Sequence, residues 1–196
     1  PVAVNYGGTT GVVVFYGSND GHLRAINGNQ TGTTAGNELW SFVEPEQASR
    51  LNRLMANDVL IPFPSTGSAN AKPYFFDGPV TAYKDNSTVW IYATQRRGGR
   101  MVYAFDVSTP SSPSLKWRRG CTSSDDTSCS TGFTAMGQTW SSLQVFKAAG
   151  YGSGATPMVV FGGGYSTCED STTTSTVNNT CGSGKKGNVI YVLDAS

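Results

Sequence analysis

Apolar and polar positions along this chain alternate in short bursts, and the bursts come in a repeating order. The stretch "VVVFYGSNDGHLRAING" (12–28) opens with apolar residues, passes through a Gly-Ser-Asn-Asp-Gly cluster and leaves as "HLRAI". "TVWIYATQRRGGRMVYAFDV" (88–107) follows the same plan. So does "PMVVFGGGY" (157–165), followed by a long polar insertion and "KKGNVIYVLDAS" (185–196). Each unit predicts a strand, a glycine-rich turn and a second strand, because alternation of period two places one side of a strand on a core. The first two units run on into "NELWSF" and "SLKWRR", short strands that carry Trp40 and Trp117 at matched places. The units begin near residues 12, 89 and 158, a spacing of about 70–77 residues. That exceeds the ~40–50 residues of an ordinary four-stranded propeller blade, and polar insertions account for the excess.

Between the units lie other elements. From Gln47 to Leu60, Leu51, Leu54 and Met55 fall at i, i+3 and i+4, with Val59 and Leu60 a turn further on. This spacing predicts a short amphipathic helix near 47–60. "YFFDGPVTAY" reads as an aromatic strand and an Asp-Gly-Pro turn, and "MGQTWSSLQVFK" as a further strand with Trp140. The sum is an all-β chain: a partial, quinoprotein-like β-propeller of about three blades, with one short helix and disulfide-closed loops. Residues 1–196 are expected to form part of a single propeller domain, since closure takes four to eight blades.

Composition narrows the setting. Charged residues make up only 14% of the chain and the formal net charge is +1, so there is no electrostatic footprint for nucleic acid. No apolar run approaches 18 residues, so no helix is expected to cross a membrane. The chain opens "PVAVNYGG" without a Met, which reads as a processed segment with any signal peptide upstream.

Four cysteines admit three pairings. Cys121 and Cys129 flank "TSSDDTS", and Cys168 and Cys181 flank "EDSTTTSTVNNT". Segments this polar cannot offset their ordering entropy by burial, and a disulfide at the base would limit that cost by roughly 2.5–3 kcal/mol. Cys121–Cys129 and Cys168–Cys181 are therefore the expected pairs, against the alternative of four buried thiols. Neither spacing is that of a zinc site. Disulfides imply an oxidising compartment.

Candidate chemistry is sparse. His22, the chain's only histidine, lies beside Asn19 and Asp20. No nucleophile or second acid/base accompanies it, so the cluster reads as a hairpin turn. Arg96, Arg97 and Arg100 in "QRRGGR" are candidates for binding an acidic partner, against the plainer reading of a solvated hairpin tip around Gly98-Gly99. Asp125 and Asp126 are too few for calcium, which takes six to eight oxygens. "FGGGY" lacks the helix a phosphate loop needs. The tryptophans Trp40, Trp90, Trp117 and Trp140 are expected between blades; as a carbohydrate platform they would have to stand exposed. Asn29, Asn86 and Asn178 each open an N-x-[ST] triplet, easily met by chance here.

Taken in order, "GSNDGHLRAING", "ELWSFVEPE", "YFFDGPV", "RRGGRMVYAFDVSTPSSPSLKW", "MGQTWSSLQV" and "VVFGGGYSTCED…GNVIYVLDA" resemble the C-terminal β-propeller of the PilC/PilY family of type IV pilus tip proteins. The resemblance spans nearly the whole chain. It implies a bacterial protein at the cell surface or pilus tip that promotes pilus assembly by opposing retraction. It also implies contacts with minor pilins and attachment to host or abiotic surfaces. Many family members bind calcium in a loop after the "YVLDA" strand, so that site is expected downstream of Ser196; within the chain no D-x-[DN]-x-[DN]-G run occurs. The Ser/Thr-rich disulfide loops depart from the family pattern. The expected function is non-enzymatic, with no catalytic residue, cofactor or metal ligand in the chain. The alternatives are a quinoprotein-like propeller enzyme, which "GHLRAING…ELW" fits loosely, and a structural subunit of an extracellular filament.

Overall fold

A computed structural model describes residues 1–56, 73–123, 125–170, 181 and 184–196. Three antiparallel sheets follow one another along the chain, each a simple up-and-down meander. The first contains β1 (Val2–Gly7), β2 (Gly11–Gly17), β3 (His22–Asn27) and β4 (Glu38–Val43). The second contains β5 (Val80–Asp85), β6 (Thr88–Thr94), β7 (Arg100–Asp106) and β8 (Ser114–Cys121). The third contains β9 (Gln144–Lys147), β10 (Pro157–Gly162) and β11 (Ile190–Asp194). All pairings are between neighbours in this order. A closed propeller is not formed by the described residues.

Burial explains the stacking. Val4, Val13, Phe15, Leu23 and Ala25 of the first sheet share a core with Ile91, Ala93, Met101, Tyr103 and Phe105 of the second. The alternate residues of the second sheet, Tyr92, Val102, Ala104 and Trp117, share another core with Leu143, Val159, Phe161 and Tyr191. The second sheet is thus a middle layer buried on both faces. Because strand side chains alternate between faces, Met101, Tyr103 and Phe105 point one way and Val102 and Ala104 the other. That is why "MVYAF" is apolar without a break, while β2 alternates between buried and half-buried positions. Trp40 and Trp117 pack between sheets as expected: Trp40 lies against Phe105 of the second sheet, and Trp117 joins the core shared with Val159, Phe161 and Tyr191 of the third.

Several boundaries differ from the sequence reading. The expected repeat units correspond to the second to fourth strands of the first two sheets, so β1 and β5 stand outside them. "YFFD" is not a strand; β5 begins only at Val80. Of "MGQTWSSLQVFK" only Gln144–Lys147 is strand, and Gln138 and Thr139 make isolated bridges instead. The helix is shorter than predicted: a 3-10 turn at Pro45–Gln47 leads into α1 (Ala48–Ala56), and positions 57–60 lie outside the described residues. Met55, expected on the buried side, is exposed. The nine-residue helix buries none of its residues fully, and Leu51, which lies against Gly21 in the β2–β3 turn, is only half-buried. The Asn29 and Asn86 triplets lie at the start of a loop and in the β5–β6 hairpin, and Asn178 lies outside the described residues. Among the described residues no helix is long and apolar enough to cross a membrane.

Candidate functional site

Loops gather at one end of the sheets. The β2–β3 turn (18–21) is held by Asp20, whose carboxylate accepts hydrogen bonds from the His22 backbone N–H (3.1 Å) and Arg24 (2.6 Å). Only Gly21 of this turn has a positive φ, +99°. Asn19 reaches out of it, donating to Asp77 at 2.8 Å and accepting from the Phe75 N–H at 3.1 Å. Among the described residues the His22 ring bonds within its own turn, through the Asp20 carbonyl and carboxylate. The Asn19–Asp20–His22 cluster is therefore a turn that anchors the 73–78 segment.

That segment supports the β6–β7 turn, Gln95–Gly99. The expected solvated tip is not what forms: Gln95 and Gly98 are buried. A Cβ on Gly98 would lie 1.8 Å from the Phe75 carbonyl oxygen, and one on Gly99 2.3 Å from Gln95 Oε1. These glycines permit close backbone approach. Arg96 has φ +50°, a left-handed conformation that costs a residue with a Cβ roughly 1–2 kcal/mol. Thr139 enforces it. Its carbonyl accepts the Arg96 N–H at 3.2 Å, its hydroxyl oxygen accepts the Gln95 N–H at 2.9 Å, and its hydroxyl donates to the Met101 carbonyl at 3.1 Å. The result places the Arg96 guanidinium 4.0 Å from the centre of the Trp140 ring. Arg97, exposed, lies 5.7 Å from both the Trp140 and Tyr74 rings. Trp140 also meets Tyr165 edge to face, and its indole N–H donates to Gln138 at 3.1 Å.

Arg100, the third arginine of the predicted cluster, is not part of this ridge. It turns inward and donates to the carbonyls of Met136 (2.7 Å) and Ser123 (3.3 Å) and to Asp126 (2.6 Å). Asp126 also receives Lys186 at 2.5 Å. These two cations, Lys186 foremost, hold the Asp126 carboxyl below its ordinary range. Cys121–Cys129 and Cys168–Cys181 are both bonded, in the expected pairs. Asp126 and Lys186 therefore tie the first disulfide loop to the chain emerging from the second. Asp126 also lies near the sulfurs of Cys121 and Cys129, but a disulfide sulfur is not a thiolate ligand. "FGGGY" begins in the last residues of β10, and among the described residues a 3-10 turn, Thr167–Glu169, follows it in place of an α-helix.

Beside the ridge is a cleft of about 280 Å³. Its lining includes Gln47, Arg50, Arg97, Gly98, Thr122 and Gln138. A second hollow of about 210 Å³ adjoins it, sharing Arg100, Gln138 and Thr167. Gln47 Nε2 donates to the Gly98 carbonyl at 2.7 Å, whereas its buried Oε1 has no hydrogen-bond partner among the described residues. On the cleft wall, Glu46 bonds Tyr103 and meets Arg118 at 3.4 Å. Glu44 is wholly buried, and burial, with the like charge of Glu46 adding to it, pushes its carboxyl up to about 8. Burial and then the Glu46 bond push the Tyr103 hydroxyl up as well. Sequence reasoning missed Gln47, Tyr74 and Thr139. All three lay in stretches already read as elements, Gln47 at the start of the expected helix, Tyr74 in "YFFDGPVTAY" and Thr139 in "MGQTWSSLQVFK", but none was read as a site residue.

No protein-family model and no characterised relative matches the sequence. Among solved structures, the chain is similar to the crystal structure of the Pseudomonas aeruginosa PilY1 C-terminal domain, with 20% identity and a TM-score of 0.48. The match covers 82% of this chain and 27% of that one.

Proposed function

We propose that this chain is part of a β-propeller that serves type IV pilus biogenesis and surface adhesion through protein contacts, without catalysis. The observation that carries the reading is the ordered series of motifs from "GSNDGHLRAING" to "GNVIYVLDA", which the fold arranges as successive meanders stacked in chain order. In this reading each sheet is a blade. The outer face of the third sheet supports it: Ile190 and Val192 are 74% and 56% exposed, as expected where another blade would pack. The two disulfides fit a surface or extracellular site in a bacterium, and minor pilins at the pilus tip are the partners proposed. Calcium is proposed for the parent protein downstream of Ser196, not for residues of this chain.

Deleting this segment in the producing cell is expected to remove surface pili, and deleting the retraction motor in the same strain is expected to restore them. Normal piliation in the first strain would overturn the reading. The enzyme alternative predicts a quinone absorbance band in the purified protein, and the proposed scaffold predicts none.

A further inference from the structure

We infer that residues 44–56 form a pH-sensitive strap across the β6–β7 turn, latched while Glu44 carries a proton and released when it ionises. This latch is independent of the pilus reading. Glu44 sits at the root of the strap, directly after β4. Its side chain is wholly buried. Both carboxyl oxygens are shut off from solvent, and neither has a hydrogen-bond partner among the described residues. The Gln95 amide faces it but donates to Glu46 at 3.4 Å. A carboxylate enclosed in this way has lost its water and gained no donors, which favours the neutral acid.

The neighbouring charges do not relieve this. The charged and titratable groups facing Glu44 are Glu46 beside it, Arg50 on α1 and Tyr103 on β7. Glu46 is a like charge, bonded to Tyr103 and to Arg118 of β8. Burial and then the Glu46 bond keep the Tyr103 hydroxyl neutral. Arg50 is the one opposite charge of the three, and its guanidinium is turned to the carbonyls of Gly98 and Tyr74.

The strap itself is held lightly. Gln47 donates to the Gly98 carbonyl at 2.7 Å. Arg50 makes only long bonds, 3.3 and 3.4 Å, to the Gly98 and Tyr74 carbonyls. Leu51 lies against Gly21, and α1 has no fully buried residue. These partners are loop and turn backbone. No residue of 45–56 belongs to either hydrophobic core, so the sheets keep their pairing when the strap lifts. Release returns Glu44 to water, where its carboxyl has the ordinary 4.5; in the latched form burial, with the Glu46 charge adding to it, raises the carboxyl to about 8. The folded value is the higher one. The latch is therefore at full strength below about pH 4.5 and weakens as the pH rises toward 8. Each pH unit in that window favours the released form by about tenfold. Glu46, Gln47 and Arg50 form one wall of the cleft, facing Arg97, Gly98 and Thr122. Lifting the strap removes that wall, so access to the β6–β7 turn increases with pH.

Limited trypsin digestion of the full chain tests the latch, because Arg50 and Arg53 lie within α1. Fragments are quantified by mass spectrometry at pH 6 and pH 8.5 for the parent and for Glu44→Gln. Dividing the parent's rate by the variant's at the same pH cancels the protease's own pH dependence. Cleavage of a transiently opened segment follows the population of the open form. The ratio at Arg50 and Arg53 is expected to rise at least about tenfold between the two pH values, while the ratio at Arg24, inside β3, stays flat. Glu44→Leu, also without charge, is the second reference should Glu44→Gln not fold. A flat ratio at Arg50 and Arg53 would overturn the inference. So would an equal rise at Arg24, which would mean that the whole fold, not the strap, responds to pH.

Discussion

Arg96 and Glu44 both stand in positions that their residue types disfavour, and tertiary contacts hold both there. Arg96 occupies left-handed backbone because Thr139, in the segment leading to β9, bonds the turn. Glu44 is enclosed with neither carboxyl oxygen bonded among the described residues. The pH dependence of that burial has a definite sign. The carboxyl rises from an ordinary 4.5 to about 8. Between those values the folded chain keeps a proton that the unfolded chain has released. The associated stability is therefore full below about pH 4.5 and is lost as the pH rises toward 8. Glu44→Gln keeps the shape without the charge. It is expected to melt near the parent at pH 5 and several degrees above it at pH 8, a gain on the order of 2–4 kcal/mol. Thermal melts of the two proteins at both pH values check this, and a gap that does not widen with pH would sink it.

At the scale of elements, β7 shows how much of the fold can be read from the chain. Its unbroken "MVYAF" and the alternation in "VVVFY" both mark strands, and the matched Trp40 and Trp117 mark the fourth strand of two sheets. The β6–β7 turn was misread for a physical reason: glycines at a turn suit either a positive φ or close packing, and only the Phe75 carbonyl 1.8 Å from a hypothetical Cβ decides between them. The disulfide pairs were legible because each pair brackets one polar segment. The Asp126 bridge to Arg100 and Lys186 was not, since it spans 60 residues to Lys186. Removing Cys121 and Cys129 together is expected to cost about 2.5 kcal/mol. Asp126→Asn, whose ion pairs are partly exposed, is expected to cost less than that. Urea denaturation compares the two; a larger loss for Asp126→Asn would show that the bridge, not the bond, orders the loop.

Among the described residues, three sheets stack so that the middle one is covered on both faces and the outer ones on one. Phe146, Ile190 and Val192 remain on the uncovered side of the third sheet. Exposed apolar groups clustered this way mark an interaction face. Ile190→Lys with Val192→Lys should leave the melting temperature within a few degrees of the parent and reduce self-association of the isolated chain in sedimentation velocity. A collapse of the fold would show instead that these residues belong to the core.

The sequence alone determined the all-β class, the repeated strand–turn–strand units and the disulfide pairs, because each is set by neighbours in the chain: a period of two, a glycine cluster, cysteines flanking one polar loop. Tertiary structure decided which turn carries a site. The cleft is lined by Gln47, Arg97, Thr122 and Gln138 from four separate stretches, and they come together because Asn19, Thr139 and Phe75 lock the loops of different sheets together. Hydrogen bonds between distant segments leave no periodic trace, so no pattern along the chain could have assembled that cleft.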